Sequence, residues 1–208
     1  MKQVTRNTLI TALALSSITA VGITAFAAAT KYTVPTDEKF AAQNVFTIEN
    51  ETAIENFTAR TNKVSGSVDF DSEAKTGSAT IIVNGASIDT GVALRNEHMR
   101  SGDWFNFDKN PEVKFVTTKI RNTSGDKYRV SGNLTLNGIT KAVTADATVR
   151  LTKANEVTKG IGYSGDVVGI VAKFKINITD FGAKHPAIDA GRVNKVLDAT
   201  LRIAASNN

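Results

Sequence analysis

Not one of the 208 residues is a cysteine. That absence excludes a disulfide scaffold, thiolate metal sites, iron–sulfur clusters, a cysteine nucleophile and a lipid anchor on an N-terminal cysteine. Histidine is almost as scarce, with two in the chain. A histidine-based transition-metal site would therefore need carboxylates to complete it. Three prolines and 15 glycines exclude collagen-like and proline-rich repeats. Charged residues make up 22% against 41% hydrophobic, which is too apolar a balance for a disordered chain. The length favours one domain, with room for a targeting segment beside it.

What is present begins with a long uncharged run from Leu9 to Ala29, preceded by Lys2 and Arg6. It ends in Ala25-Phe26-Ala27, then Ala28-Ala29. Small residues at 25 and 27 fit the cleavage rule of a secretory signal peptide. Thr11, Ser16, Ser17, Thr19 and Thr24 weaken the rival reading, a permanent span that needs about 20 apolar residues. The expected organisation is a signal peptide over 1–27, with 29 as the alternative end, and a single domain over 28–208. Export places that domain in the periplasm or outside the cell. Cleavage would remove Lys2 and Arg6 from a chain of 25 basic and 20 acidic residues, leaving a small, dispersed positive excess. Lys109, Lys114, Lys119 and Arg121 are the nearest thing to a patch. They lack the interleaved aromatics of a nucleic-acid platform, so no nucleic-acid partner is expected.

Beyond Lys31 the pattern has period two, which predicts strands. Tyr128, Val130, Gly132, Leu134 and Leu136 alternate with polar residues. So do Val143, Ala145, Ala147, Val149 and Leu151, and further on Phe174, Ile176 and Ile178. Val64–Phe70 and Leu197–Ile203 follow the same rule. Weaker strand candidates are Val45–Glu49, Ile54–Ala59, Gly77–Val83, Val113–Arg121 and Gly160–Val171. Asn137-Gly138 predicts a type I′ hairpin, and Asp71–Gly77 and Ser124-Gly125-Asp126 predict two more turns. One helix is expected, from Val92 to Gly102. Eight or more antiparallel strands suggest a sandwich or a closed barrel. Inward Gly66, Gly132, Ala145, Ala147 and Ala199 either leave space for a small apolar ligand or fit the taper of a filled barrel. Gly160, Gly162 and Gly165 match Gly-x-Gly-x-x-Gly. No helical pattern follows them, so a bend or bulge is expected rather than a dinucleotide site.

Several linked motifs carry a family resemblance. Ser87-Ile88-Asp89-Thr90 precedes Arg95-Asn96-Glu97-His98-Met99 and Asp103-Trp104-Phe105. Asn110-Pro111-Glu112-Val113-Lys114-Phe115, Gly132–Lys141 and Asp180-Phe181-Gly182 follow in order. Over residues 31 to 205 the chain resembles the YceI-like family. That resemblance implies an all-β fold, an eight-stranded antiparallel lipocalin-like barrel with a short helix between strands. It also implies an apolar tunnel for a polyisoprenoid or another long-chain lipid. The chain departs from the family where many members carry a His-Ser pair and a later histidine. Glu51-Thr52 and Thr61 stand there instead. Asn177-Ile178-Thr179 replaces an arginine before the Asp-Phe-Gly turn.

A hydrocarbon tail has no hydrogen-bonding group, so its affinity comes from leaving water, about 0.8 kcal/mol per buried carbon before ordering costs. The expected tunnel wall is Phe57, Val68, Ile81, Phe115, Val130, Leu134, Val143, Phe174, Ile176 and Leu201. Leu94, Met99, Trp104 and Phe105 are expected to cap one end. The expected activity is binding for storage or transport, without catalysis and without a metal. No cofactor is called for, although a bound polyisoprenoid or quinone-like lipid fits. The partner is a long-chain lipid, with transient membrane contact, and monomer and dimer are both compatible. Two rivals are a filled barrel acting as an envelope stress or interaction protein, and a lipid or ester hydrolase using Ser87, Asp89 and His98. For those residues, capping or bracing of the helix by Asp89 and Thr90 and a hydrogen bond from His98 across the loop are the expected roles.

Overall fold

A computed structural model describes residues 29–207. The expected signal peptide lies outside the described residues. Ten strands form one antiparallel sheet: β1 (Thr30–Val34), β2 (Val45–Asn50), β3 (Phe57–Thr61), β4 (Val64–Asp71), β5 (Thr76–Asn84), β6 (Glu112–Ser124), β7 (Lys127–Leu136), β8 (Ile139–Thr152), β9 (Val167–Asn177) and β10 (Val196–Ser206). Neighbours run β1-β4-β5-β6-β7-β8-β9-β10, and a β1–β10 contact at Thr33 and Ser206 joins the ends. Eight strands thus close into a barrel, which removes the open edges that invite aggregation.

Strand β10 organises the closure. It pairs with β9 along its whole length, from Val196–Asn177 to Ser206–Val167. Its other edge is divided. Strand β2 takes Asp198 to Arg202, and β1 takes Ser206. Strand β3 continues from β2 and reaches the segment after β5 through a bridge between Arg60 and Asp89. The wall is therefore closed by different strands at its two ends.

Alternation gives each strand one inward apolar face. In β7, Tyr128, Gly132, Leu134 and Leu136 are buried while Arg129 and Asn133 are exposed. In β4, Val64, Val68 and Phe70 are buried. Asn137 and Gly138 have φ of 52° and 71°, the positive pair that a type I′ turn requires. Two inward glycines do not leave empty space. A Cβ at Gly132 would lie 2.3 Å from the Phe115 ring, and one at Gly66 would lie 2.1 Å from the Thr80 carbonyl oxygen. Glycine there admits a ring from the next strand, or the next strand itself.

Three short α-helices appear among the described residues, beside three single 3₁₀ turns. The expected helix is α1 (Ala93–Arg100). The proposed strand Gly160–Val171 is wrong at its start. Residues Glu156–Ile161 form α2, and the strand begins at Val167. Asn155 accepts the Val157 and Thr158 backbone N–H groups, while the Thr158 hydroxyl caps the Asn155 N–H. Gly162, at φ 108°, ends the helix as its C-cap, and Gly160 lies within the helix, so the glycine triplet does not form a strand bend. A third, α3 (Pro186–Asp189), was not foreseen. In the weak Ile54–Ala59 candidate, pairing starts at Phe57, and Ile54 is 84% exposed.

Candidate lipid site: a lumen, a waist and a mouth

Apolar space runs through the barrel in three parts. The lumen is a cavity of about 90 Å³. Strands β4 to β10 supply Val68, Ile81, Phe115, Val130, Leu134, Val143, Phe174 and Leu201 to its wall, eight of the expected residues. Ala145 and Ala147 line it too, so here small inward residues do leave room. Phe115, Val130, Val143, Phe174 and Leu201 are only half-buried although they face inward. Phe46 adds a ring stacked near Phe174, 6.4 Å between centres. Phe70 meets Tyr128 edge-on at 6.1 Å. Burial pushes the Tyr128 phenol above its ordinary pKa, because the anion is disfavoured among hydrocarbon.

The waist is a gap of about 10 Å³ lined by Ile176, Ile88, Phe107 and Leu136 among others. It shares Phe46 and Val113 with the lumen, and Ile48, Phe105, Ile178 and Leu197 with the mouth. Shared walls place the three spaces in series.

The mouth is a chamber of about 270 Å³. It holds the remaining expected residues, Phe57, Leu94, Met99, Trp104 and Phe105. Leu94 sits on its rim, 60% exposed. The expected single tunnel is thus two chambers joined by a constriction. The mouth also has a polar half, Glu55, Arg95, His98, His185 and Arg192, of which the sequence pattern singles out His98 but not as a wall residue, and does not single out Glu55, His185 or Arg192. The Glu55 carboxylate accepts from both Arg95 Nη2 and Arg192 Nε, each at 3.1 Å. Arg95 also lies over the Phe57 ring at 4.3 Å, a cation–π contact. His185 stacks on Trp104 at 4.8 Å and lies 6.4 Å from His98. Arg95 and His98 stand in the motif already quoted, whereas Glu55, His185 and Arg192 lie outside every quoted motif.

The signature motifs build the support around this end. Asn96 Nδ2 donates to the Asp89 carboxylate at 2.6 Å, and Asn96 Oδ1 accepts the Thr90 N–H at 2.9 Å. Asp89 and Thr90 therefore brace α1 through Asn96 rather than cap it, since the N-cap position is Val92 and carries no side-chain cap. The Asn96 amide first, then the Gly91 N–H, hold the Asp89 carboxyl below its ordinary pKa. His98 makes no cross-loop hydrogen bond among the described residues, and its described ring neighbour is His185. Ser87 Oγ donates to Asn84 O at 2.7 Å and lies 2.7 Å from Thr61 Oγ1. Asn137 Nδ2 donates to Phe181 O at 3.1 Å, and Asn110 Nδ2 to Asn137 Oδ1 at 3.3 Å. Three motifs distant in sequence are tied together there.

The YceI-like domain profile matches residues 32–206. The chain belongs to the YceI-like family. A UPF0312 protein of Serratia proteamaculans is 40% identical over 102 residues, 49% of this chain and 50% of that protein. The chain therefore matches about half the length of that relative. Among solved structures, Burkholderia cenocepacia BcnA covers 80% of this chain and 98% of its own, with TM-score 0.68 and 23% identity. A polyisoprenoid binding domain from Saccharophagus degradans covers 86% of this chain and 98% of its own, with TM-score 0.59 and 13% identity. At those identities the YceI-like member shares their fold.

Proposed function

We propose that this protein binds one long-chain apolar lipid of the polyisoprenoid class, for storage or transport, and does not transform it. The observation that carries this reading is the lumen wall. Strands β4 to β10 surround an internal cavity with aliphatic and aromatic side chains, the lining that rewards hydrocarbon and nothing more polar. The Saccharophagus domain of the same fold, named for polyisoprenoid binding, supports it. Against a hydrolase, the Ser87 hydroxyl and the Asp89 carboxylate are engaged by Asn84 and Asn96 rather than by His98. Export to the periplasm or beyond rests on the Leu9–Ala29 run and is checked by cell fractionation.

The lumen of about 90 Å³ is small beside the roughly 300–1,000 Å³ of drug-sized sites. A long tail therefore enters only as side chains rearrange both at the waist and around the lumen. The same narrowness favours the rival reading, a filled barrel used as an interaction protein. Native purification, lipid extraction and mass spectrometry decide between them. A stoichiometric chain lipid, or saturable uptake of added polyprenol, is expected. Neither being seen would leave the filled barrel.

A further inference from the structure

The wall of the lumen is not stitched together all the way round. Strands β5 and β6 pair from Asn84 with Glu112 only as far as Thr80 with Val116, although β5 begins at Thr76 and β6 runs on to Ser124. A register shift between Thr117 and Lys119 marks where β6 turns away, as a bulge bends its strand. Two hydrogen bonds frame the gap that results. The Ala79 N–H donates to Thr117 Oγ1 at 3.1 Å, and Lys75 Nζ donates to Gly125 O at 3.0 Å, tying the tips of the two hairpins. Between these links no hydrogen bond joins β5 to β6 among the described residues.

The lumen comes up to this gap from inside. Ser78 and Ala79 on one edge, Thr117 and Ile120 on the other, line its cavity. Ala79, Thr117 and Ile120 belong to the inward faces of their strands, yet they are only half-buried. On the fully paired side, Val168 and Ala205 of β9 and β10 are 0% exposed. Gly77, the next inward position on β5, has no side chain to fill the gap. The end of the lumen is floored instead by Phe70 and Tyr128, whose edge-on rings bring β4 and β7 together.

We infer that the gap is a lateral window through which a hydrocarbon chain longer than the lumen leaves the barrel. The lumen of about 90 Å³ holds only a short stretch of such a chain. Carbons beyond the window gain no further burial, so affinity levels off with chain length instead of falling. The ligand class is therefore polyprenyl chains without an upper length limit. This inference rests on the lipid-binding reading and adds how a chain too long for the interior is held.

The test binds wild type to two polyprenols that carry a photoreactive diazirine at the tail end, one of geranylgeraniol length and one of undecaprenol length. Irradiation and peptide mass spectrometry then locate the tail. The short chain should label lumen residues such as Val143 and Phe174. The long chain should label the window edges, Ser78 and Ala79, Thr118 and Ile120. Label from the long chain confined to the lumen, or found at the mouth, overturns the window and leaves lipid binding standing. A second arm uses the absence of cysteine. Oxidised Ser78→Cys/Thr118→Cys staples the two edges. It should weaken the long chain about tenfold or more and the short one less than about twofold, with recovery on reduction. Equal losses for the two chains, or no loss for the long one, also overturn the window. If the double variant does not fold or does not oxidise, the labelling map decides alone. Failure of both probes to bind wild type sinks the lipid reading itself.

Discussion

The lumen and the mouth are built by different rules. Lumen residues recur at every second position along long neighbouring strands, so one backbone geometry aims them all inward. Mouth residues come mostly from β3 and its preceding loop, from α1 and the loop after it, and from the segment around α3, with Ile48, Ile178 and Leu197 closing the waist side. The lumen is a consequence of closing a sheet. The mouth is an assembly held by specific hydrogen bonds and ion pairs. The first should resist conservative change and fail on added charge. The second should tolerate surface change and depend on individual polar contacts.

A lysine placed in each region should separate them most sharply. Leu134 is 2% exposed and Leu94 is 60% exposed. Leu134→Lys buries an unpaired charge, at a cost of several kcal/mol, and should unfold the domain or abolish lipid uptake. Leu94→Lys should stay within about 0.5 kcal/mol of wild type. Urea unfolding of both variants checks this, and equal losses would erase the distinction.

The waist is where the two regions meet, and Ile176→Ala widens it. Ile176 is 2% exposed, so the truncation should cost about 2–5 kcal/mol. It should also speed entry of added polyprenol, seen by stopped-flow uptake. A slower or unchanged entry rate would mean that the waist is not on the path.

The smallest effect belongs to the brace of α1. Folded Asp89 has its pKa lowered from 3.8. Its contribution to stability is therefore complete above that value and is lost as pH falls through the lower, folded one. Asp89→Asn should flatten the acid limb of the stability curve and change little near neutrality. Urea midpoints across the acid range measure it. An unchanged acid limb would show that Asp89 is not coupled to folding.

The legibility of the molecule follows the same division. Leu134 and Val143 were readable as wall because alternation is a local signal. Phe57 was harder, since β3 is five residues long and pairs only from its own start. Helix α2 was missed because six residues are too few to show a 3.6-residue period. Its sign was Asn155 before Thr158, a capping box with threonine in place of the usual Glu or Gln. Gly132 was readable as inward but not as filled. Whether a small inward residue leaves a hole depends on the ring opposite, here Phe115.

The amino-acid order alone determined most of the strands, the Asn137-Gly138 turn and the apolar character of the inner face. Each depends on neighbours within a few residues along the chain. Tertiary structure decided how much of the interior is open, where the waist falls, and that Trp104 and His185 stand together. Those properties are distances between side chains far apart in sequence, set by strand register and barrel closure, and no local periodicity encodes them.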